Sequence, residues 1–191
     1  MNRRKLLKSL FGISVAGGTT YTGWTSYAMF KNPDLSILDL NRSLINDIAE
    51  TIIPKTDSPG AKDAEVYKYI ILILKECTSR QNQNNFINGL IKLKNYTHSQ
   101  YQCTFSECSK DQQNNIIHYF EQQTTKLKGI AKKIHKKIFG LSFFEIIKKL
   151  TIEGFFTSEI GCTQVLAYNP TPGEYITCQP LKPNQKSWAS R

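Results

Sequence analysis

From Leu40 onward the apolar residues of this chain recur at helical spacing. Leu40, Leu44, Ile45, Ile48, Ala49, Ile52 and Ile53 are separated by 4, 1, 3, 1, 3 and 1 positions, which places them on one face of a helix. Pro54 stops that helix, because a proline pushes the residue before it out of the helical region. Asp57-Ser58-Pro59-Gly60 follows as a turn, with proline pre-setting φ and glycine relieving the tight position. A second helix is predicted from about Asp63, with Val66, Ile70, Ile73, Leu74 and Cys77 on one stripe. Residues 80–85 are polar and rich in Gln and Asn, and Phe86, Leu90, Ile91 and Leu93 mark another helix behind them. Residues 95–108 read as irregular, with polar residues around Tyr96, Tyr101 and Phe105.

Ser109-Lys110-Asp111-Gln112 has the capping-box pattern, a hydroxyl followed three residues later by a side chain that can reach back. It opens a helix carrying Ile116, Ile117 and Phe120. Leu127, Ile130, Ala131, Ile134 and Ile138 form the next stripe, which Gly140 ends. Ser142-Phe143-Phe144-Glu145 is a second capping box, opening a helix through Ile146, Ile147 and Leu150. After Gly161 the chain becomes extended and rich in turns. Few β-alternating runs occur, so the pattern predicts an all-α single domain of about six helices with an extended Pro- and Tyr-rich C-terminal arm over residues 167–191.

The first thirty residues stand outside this pattern. Arg3, Arg4, Lys5 and Lys8 form a positive start, and the modestly apolar stretch behind them is too short for a membrane helix of about twenty residues. Arg3-Arg4 followed by Leu6, Leu7 and Lys8 resembles a twin-arginine export signal, a form of address read by a receptor. Ser26-Tyr27-Ala28 carries small residues where a signal peptidase needs them, which predicts cleavage after Ala28; the alternative is an uncleaved anchor or a basic amphipathic start. Residues 1–28 therefore read as the signal and residues 29–191 as the helical domain.

Composition then narrows the class. With 191 residues, 40% apolar and 21% charged, the chain is globular and excludes collagen, coiled-coil arrays and multi-span membrane proteins. Its formal charge of +10 falls to +6 once residues 1–28 are removed, because that segment carries four cations and no acids. The densest basic run is Lys126, Lys128, Lys132, Lys133, Lys136 and Lys137. Its helix face is either simply solvated or a surface for anionic lipid or an acidic protein, which would make the chain a stand-alone periplasmic binding module. No recognition motif for nucleic acid accompanies the lysines.

Five cysteines, Cys77, Cys103, Cys108, Cys162 and Cys178, suit an oxidising compartment and leave at least one thiol over. All five are disulfide candidates, Cys103 and Cys108 being close enough in sequence to close a loop, and spacing leaves the connectivity open. His98, His118 and His135 are scattered, and the gaps between His98, Cys103 and Cys108 fit no zinc pattern, so no metal site is expected. The chain has no glycine-rich nucleotide loop, phosphate loop or nucleophile elbow. No catalytic residue and no cofactor of its own are expected.

What stands out is a set of turn motifs joined to aromatic residues. Pro54, Asp57, Pro59 and Gly60 follow the first helix; Phe155, Phe156, Ser158, Glu159 and Gly161 close the last; Tyr168, Pro172, Gly173 and Tyr175 stiffen the arm. Such an arm is either a docking element, since aromatic anchors dominate interfaces, or a wrap around its own helices.

Three blocks carry a resemblance to the gluconate 2-dehydrogenase subunit 3 family: Glu50-Thr51-Ile52-Ile53-Pro54 with Thr56-Asp57-Ser58-Pro59-Gly60-Ala61; Phe155-Phe156-Thr157-Ser158-Glu159-Ile160-Gly161; and Tyr168-Asn169-Pro170 with Pro172-Gly173-Glu174-Tyr175 and Cys178. The resemblance implies a non-catalytic small subunit of a membrane-associated dehydrogenase complex. A large FAD-binding subunit would oxidise a sugar or sugar acid, and a cytochrome c subunit with its haem would pass the electrons on. The small subunit would support maturation and lend its signal to the flavoprotein, so that the twin-arginine translocase delivers the pair to the periplasm at the outer face of the inner membrane.

Overall fold

The computed structural model describes residues 31–124, 129–171 and 183–189, together with residues 173, 178 and 180. Arg3, Arg4, Leu6, Leu7, Lys8 and Ala28 lie outside them, as do Lys126, Leu127, Lys128, Pro172 and Tyr175. Within residues 129–139 the side chains of Ala131, Lys132, Ile134, His135 and Ile138 also lie outside the described residues.

The described chain forms seven α-helices: α1 Ser36–Leu40, α2 Arg42–Ile52, α3 Val66–Glu76, α4 Arg80–Tyr101, α5 Lys110–Thr124, α6 Gly129–Phe139 and α7 Phe143–Phe156, followed by a π-turn at Gly161–Val165. No strand occurs among the described residues; their β-type pairing is a bridge between Ala167 and Trp188. The fold is all-α.

α7 is the central element and packs against α2, α3, α4 and α5. Its sequence explains this position. Phe143, Phe144, Ile146, Ile147, Leu150, Thr151, Gly154 and Phe155 are all buried, too wide a stripe to be covered by one neighbour. Close approach is bought by two small residues. A Cβ on Gly89 would lie 2.2 Å from Phe143 Cβ, and one on Gly154 would lie 2.7 Å from Tyr69 Cδ1, so α4 and α3 meet α7 where no larger side chain fits. The predicted capping box starts α7: Ser142 Oγ accepts from Glu145 N, and Glu145 Oε2 accepts from Ser142 N. Ser109 and Gln112 exchange the same reciprocal pair of hydrogen bonds at the head of α5.

Several expectations are corrected. Leu40 does not lead the buried stripe; it ends α1 and is 82% exposed. α3 starts at Val66 rather than Asp63, because Glu65 sits at φ 49° and breaks the helical path. Cys77 caps α3 and is exposed. Residues 80–85 are not a spacer but the first turns of α4, and residues 95–101 are its last turns rather than irregular chain. Ile130 is 77% exposed instead of buried. Residues 161–165 form the π-turn, so the extended arm begins later than the sequence pattern suggested.

The polar start of α4 is held by its amides. Gln83 Nε2 donates to Leu74 O at 2.7 Å, Asn85 Nδ2 to Phe139 O at 2.7 Å and Leu141 O at 3.0 Å, and Asn82 Oδ1 accepts from Leu141 N at 2.9 Å. These bonds satisfy carbonyls and an N–H at the ends of α3, α6 and α7 that would otherwise face the interior.

Candidate docking surface

The turn after α2 is wound around two carboxylates. Glu50, in the last turn of α2, accepts from Lys55 N at 3.0 Å through Oε1 and from Lys62 N at 2.8 Å through Oε2. Asp63 accepts from Gly60 N at 3.0 Å and from Lys55 Nζ at 3.2 Å. The Gly60 N–H first, and then the Lys55 ammonium, hold the Asp63 carboxyl below its ordinary range. Ala61 N donates to Ile53 O at 2.9 Å and closes the turn onto the helix. A Cβ on Gly60 would lie 2.6 Å from Glu50 Oε1 and 2.7 Å from Lys55 N. Pro54 and Asp57 are exposed on this turn, Pro59 is half-buried and Gly60 is buried.

The segment after α7 is equally constrained. Ser158 Oγ donates to Phe155 O at 2.6 Å and accepts from Gly161 N at 3.0 Å. A Cβ on Gly161 would meet Phe155 O at 1.9 Å, so the reversal admits no side chain. Of the two phenylalanines, Phe155 is a core residue at 2% exposure and is not available to a partner, whereas Phe156 is 38% exposed. Helical rotation of about 100° per residue separates them. Glu159 is exposed.

These two segments, remote in sequence, share one surface. A depression of about 330 Å³ is lined by Lys55, Thr56, Asp57, Ser58, Pro59 and Asp63 on one side and by Ile160 and Gln164 on the other. The arm reaches its margin: Lys186 Nζ donates to Gln164 O, and Ala167 pairs with Ser187 and Ala189 through bonds of 2.8 and 3.1 Å. Tyr168 and Trp188 stand exposed beside that pairing, and Gly173 is exposed. Glu50, Lys55, Asp63, Ile160 and Gln164 were not among the docking candidates read from the sequence, although Glu50 and Ile160 fall within the resemblance blocks. The signal for the carboxylates was their placement, one four residues before Pro54 and the other three after Gly60, where a turn leaves N–H groups without helical partners.

A second feature was not legible at all. A groove of about 860 Å³ is lined by residues of α4, α5 and the start of α7, among them Asn88, Lys92, Asn95, Tyr96, Tyr119 and Phe143. Tyr96 and Tyr119 stack at 4.2 Å and 7°, and burial, then the neighbouring Tyr119, raises the Tyr96 hydroxyl. The groove is lined by residues at the start of α7, whereas Ile160 and Gln164 of the depression follow its other end.

The remaining candidates are dispersed. Lys133, Lys136 and Lys137 are exposed on α6, with Lys136 Nζ 3.7 Å from Glu145 Oε1. Among the described residues no group of three or more His, Cys, Asp or Glu side chains could hold a metal. No helix among them is long and apolar enough to cross a membrane. Cys178 is exposed, and Cys162 Sγ donates to Phe156 O.

Helices packed around one central helix, with a tightly hydrogen-bonded turn at the end of α2, define a small all-α domain. The chain belongs to the gluconate 2-dehydrogenase subunit 3 family, whose model matches residues 39–173. The family name makes the chain a subunit of a dehydrogenase complex. The match spans the first two sequence blocks entire and the third as far as Gly173. Comparison with curated proteins and with solved structures gives no match.

Proposed function

We propose that this chain is the non-catalytic small subunit of a periplasmic, membrane-associated, FAD-dependent sugar or sugar-acid dehydrogenase complex. The observation that carries the reading is the family match over residues 39–173, joined to the Arg3-Arg4 start of the sequence. FAD and haem belong to the partners, a large flavoprotein subunit and a cytochrome c subunit. The small subunit grips the folded flavoprotein through the turn at 54–63, the segment after α7 and the exposed aromatics beside it. The twin-arginine translocase then exports the pair by reading the signal of one chain for both. Rigidity suits this role, because a surface already held by Glu50, Asp63 and Ser158 loses little further freedom on binding.

Replacing Arg3-Arg4 with Lys-Lys in cells that also make the flavoprotein tests the proposal by fractionation. The flavoprotein should accumulate in the cytoplasm. If it reaches the periplasm in normal amount, shared export is wrong.

A further inference from the structure

We propose that Cys103 and Cys108 are joined by a disulfide that closes the loop between α4 and α5. Their Sγ atoms lie 3.1 Å apart, so forming a bond of about 2.0 Å requires a movement of only about 1 Å. The loop is already set for it. Gln102, at φ 55°, ends α4 and turns the chain. Thr104 N donates to Glu107 Oε2 at 2.8 Å, and Glu107 N donates to Thr104 O at 3.1 Å. Phe105 is buried in the core, and its carbonyl accepts from Gln113 Nε2 at 2.9 Å. The other cysteines occupy different places: Cys77 at the end of α3, Cys162 on the Phe156 carbonyl and Cys178 exposed in the arm.

The reaction is thiol–disulfide exchange with a disulfide donor, either a dithiol oxidase or a small-molecule disulfide. Cys103 is the more accessible of the two and attacks first as its thiolate, forming a mixed disulfide and releasing one donor thiol. Cys108 then loses its proton and attacks Cys103 Sγ, expelling the second donor thiol. Two protein thiols are oxidised and one donor disulfide is reduced. Burial, and next the neighbouring Cys103, push the Cys108 thiol up to about 11, which disfavours its thiolate and leaves it the second attack, where the Cys103 sulfur is already within reach.

The bond would brace the docking turn. Ser106, within the closed loop, donates from Oγ to Asp47 Oδ2. Asp47 Oδ1 lies 2.6 Å from Lys62 Nζ, and Lys62 N donates to the Glu50 carboxylate that organises the turn.

The test uses the purified full chain, reduced and then incubated with oxidised glutathione, with free thiols alkylated in denaturant and counted by mass spectrometry. The expected product takes up three alkyl groups where the reduced chain takes five, because two thiols have lost their hydrogens to one bond, and it yields a linked peptide containing Cys103 and Cys108. Closing so short a loop should raise Tm by about 4–8 °C, a rise that Cys103→Ser abolishes and Cys162→Ser keeps. Full alkylation of Cys103 and Cys108, or a link between any other pair, overturns the proposal. The assignment does not depend on the export route: a chain that forms this link in vitro but is isolated from cells fully reduced supports the pairing and counts against export.

Discussion

Alanine at position 60 would force its methyl group against the Glu50 carboxylate and the Lys55 N–H at once. Because one of these is backbone, the turn itself must move. Gly60→Ala is therefore expected to cost about 1–3 kcal/mol, measured by urea denaturation. Thr151 presents the opposite case. It is fully buried on α7, and its Oγ1 has no hydrogen-bond partner among the described residues. Thr151→Val keeps the shape and removes the unpaired hydroxyl, so it should be neutral or stabilise by about 1 kcal/mol in the same assay. Charge adds a pH dependence. Asp63 is lowered by the Gly60 N–H and Lys55, Asp39 by Lys75 and Arg42, and Glu121 by Lys148. A carboxyl whose folded pKa is depressed stabilises the fold above its unfolded pKa and loses that contribution as pH falls through the folded value. Thermal melts should thus show stability falling below about pH 4, with a shallower fall in Asp63→Asn. At this scale the sequence showed that position 60 is a glycine in a turn, but not that two carboxylate oxygens occupy the space a side chain would need.

Helix boundaries were best read where the signal is local. Pro54 lies just beyond α2, Gly140 at φ 76° follows α6, and both capping pairs form. Ser142→Ala removes the hydroxyl that accepts from Glu145 N and contacts Thr124 Oγ1, and should lower stability by about 1 kcal/mol, read from the denaturation midpoint. α4 was misread at both ends because Asn at its start and Asn, Thr and Ser at its end have low helical propensity and few apolar residues there mark a face. The amides at its start are paid back across the fold, on carbonyls and an N–H of α3 and the α6–α7 corner, and no window along α4 contains those partners. α6 differs again: its apolar spacing is real, yet Ile130 stands exposed, because periodicity says which residues share a face and not whether anything covers it.

For the whole molecule, docking is predicted to concentrate on the exposed aromatics rather than on the buried one. Phe156→Ala together with Tyr168→Ala should weaken co-purification of the flavoprotein by about tenfold or more, the loss expected from removing two interfacial anchors, while the melting temperature of the free subunit changes little. Phe155→Ala should instead unfold or destabilise the subunit by about 3–5 kcal/mol, so the adjacent substitutions separate interface from core. The sequence by itself determined that the chain is helical, where most helices start and stop, that it opens with a basic export-like segment, and which family it resembles. These follow from interactions within one or two turns and from short motifs, which a linear pattern carries in full. Tertiary structure alone decided that α7 is central, that Phe155 faces inward and Phe156 outward, that the turn after α2 meets the segment after α7, and that Cys103 faces Cys108. Each depends on the rotation and spacing of helices packed around α7, set by which side chains fit together across the core, and spacing along the chain does not encode that fit.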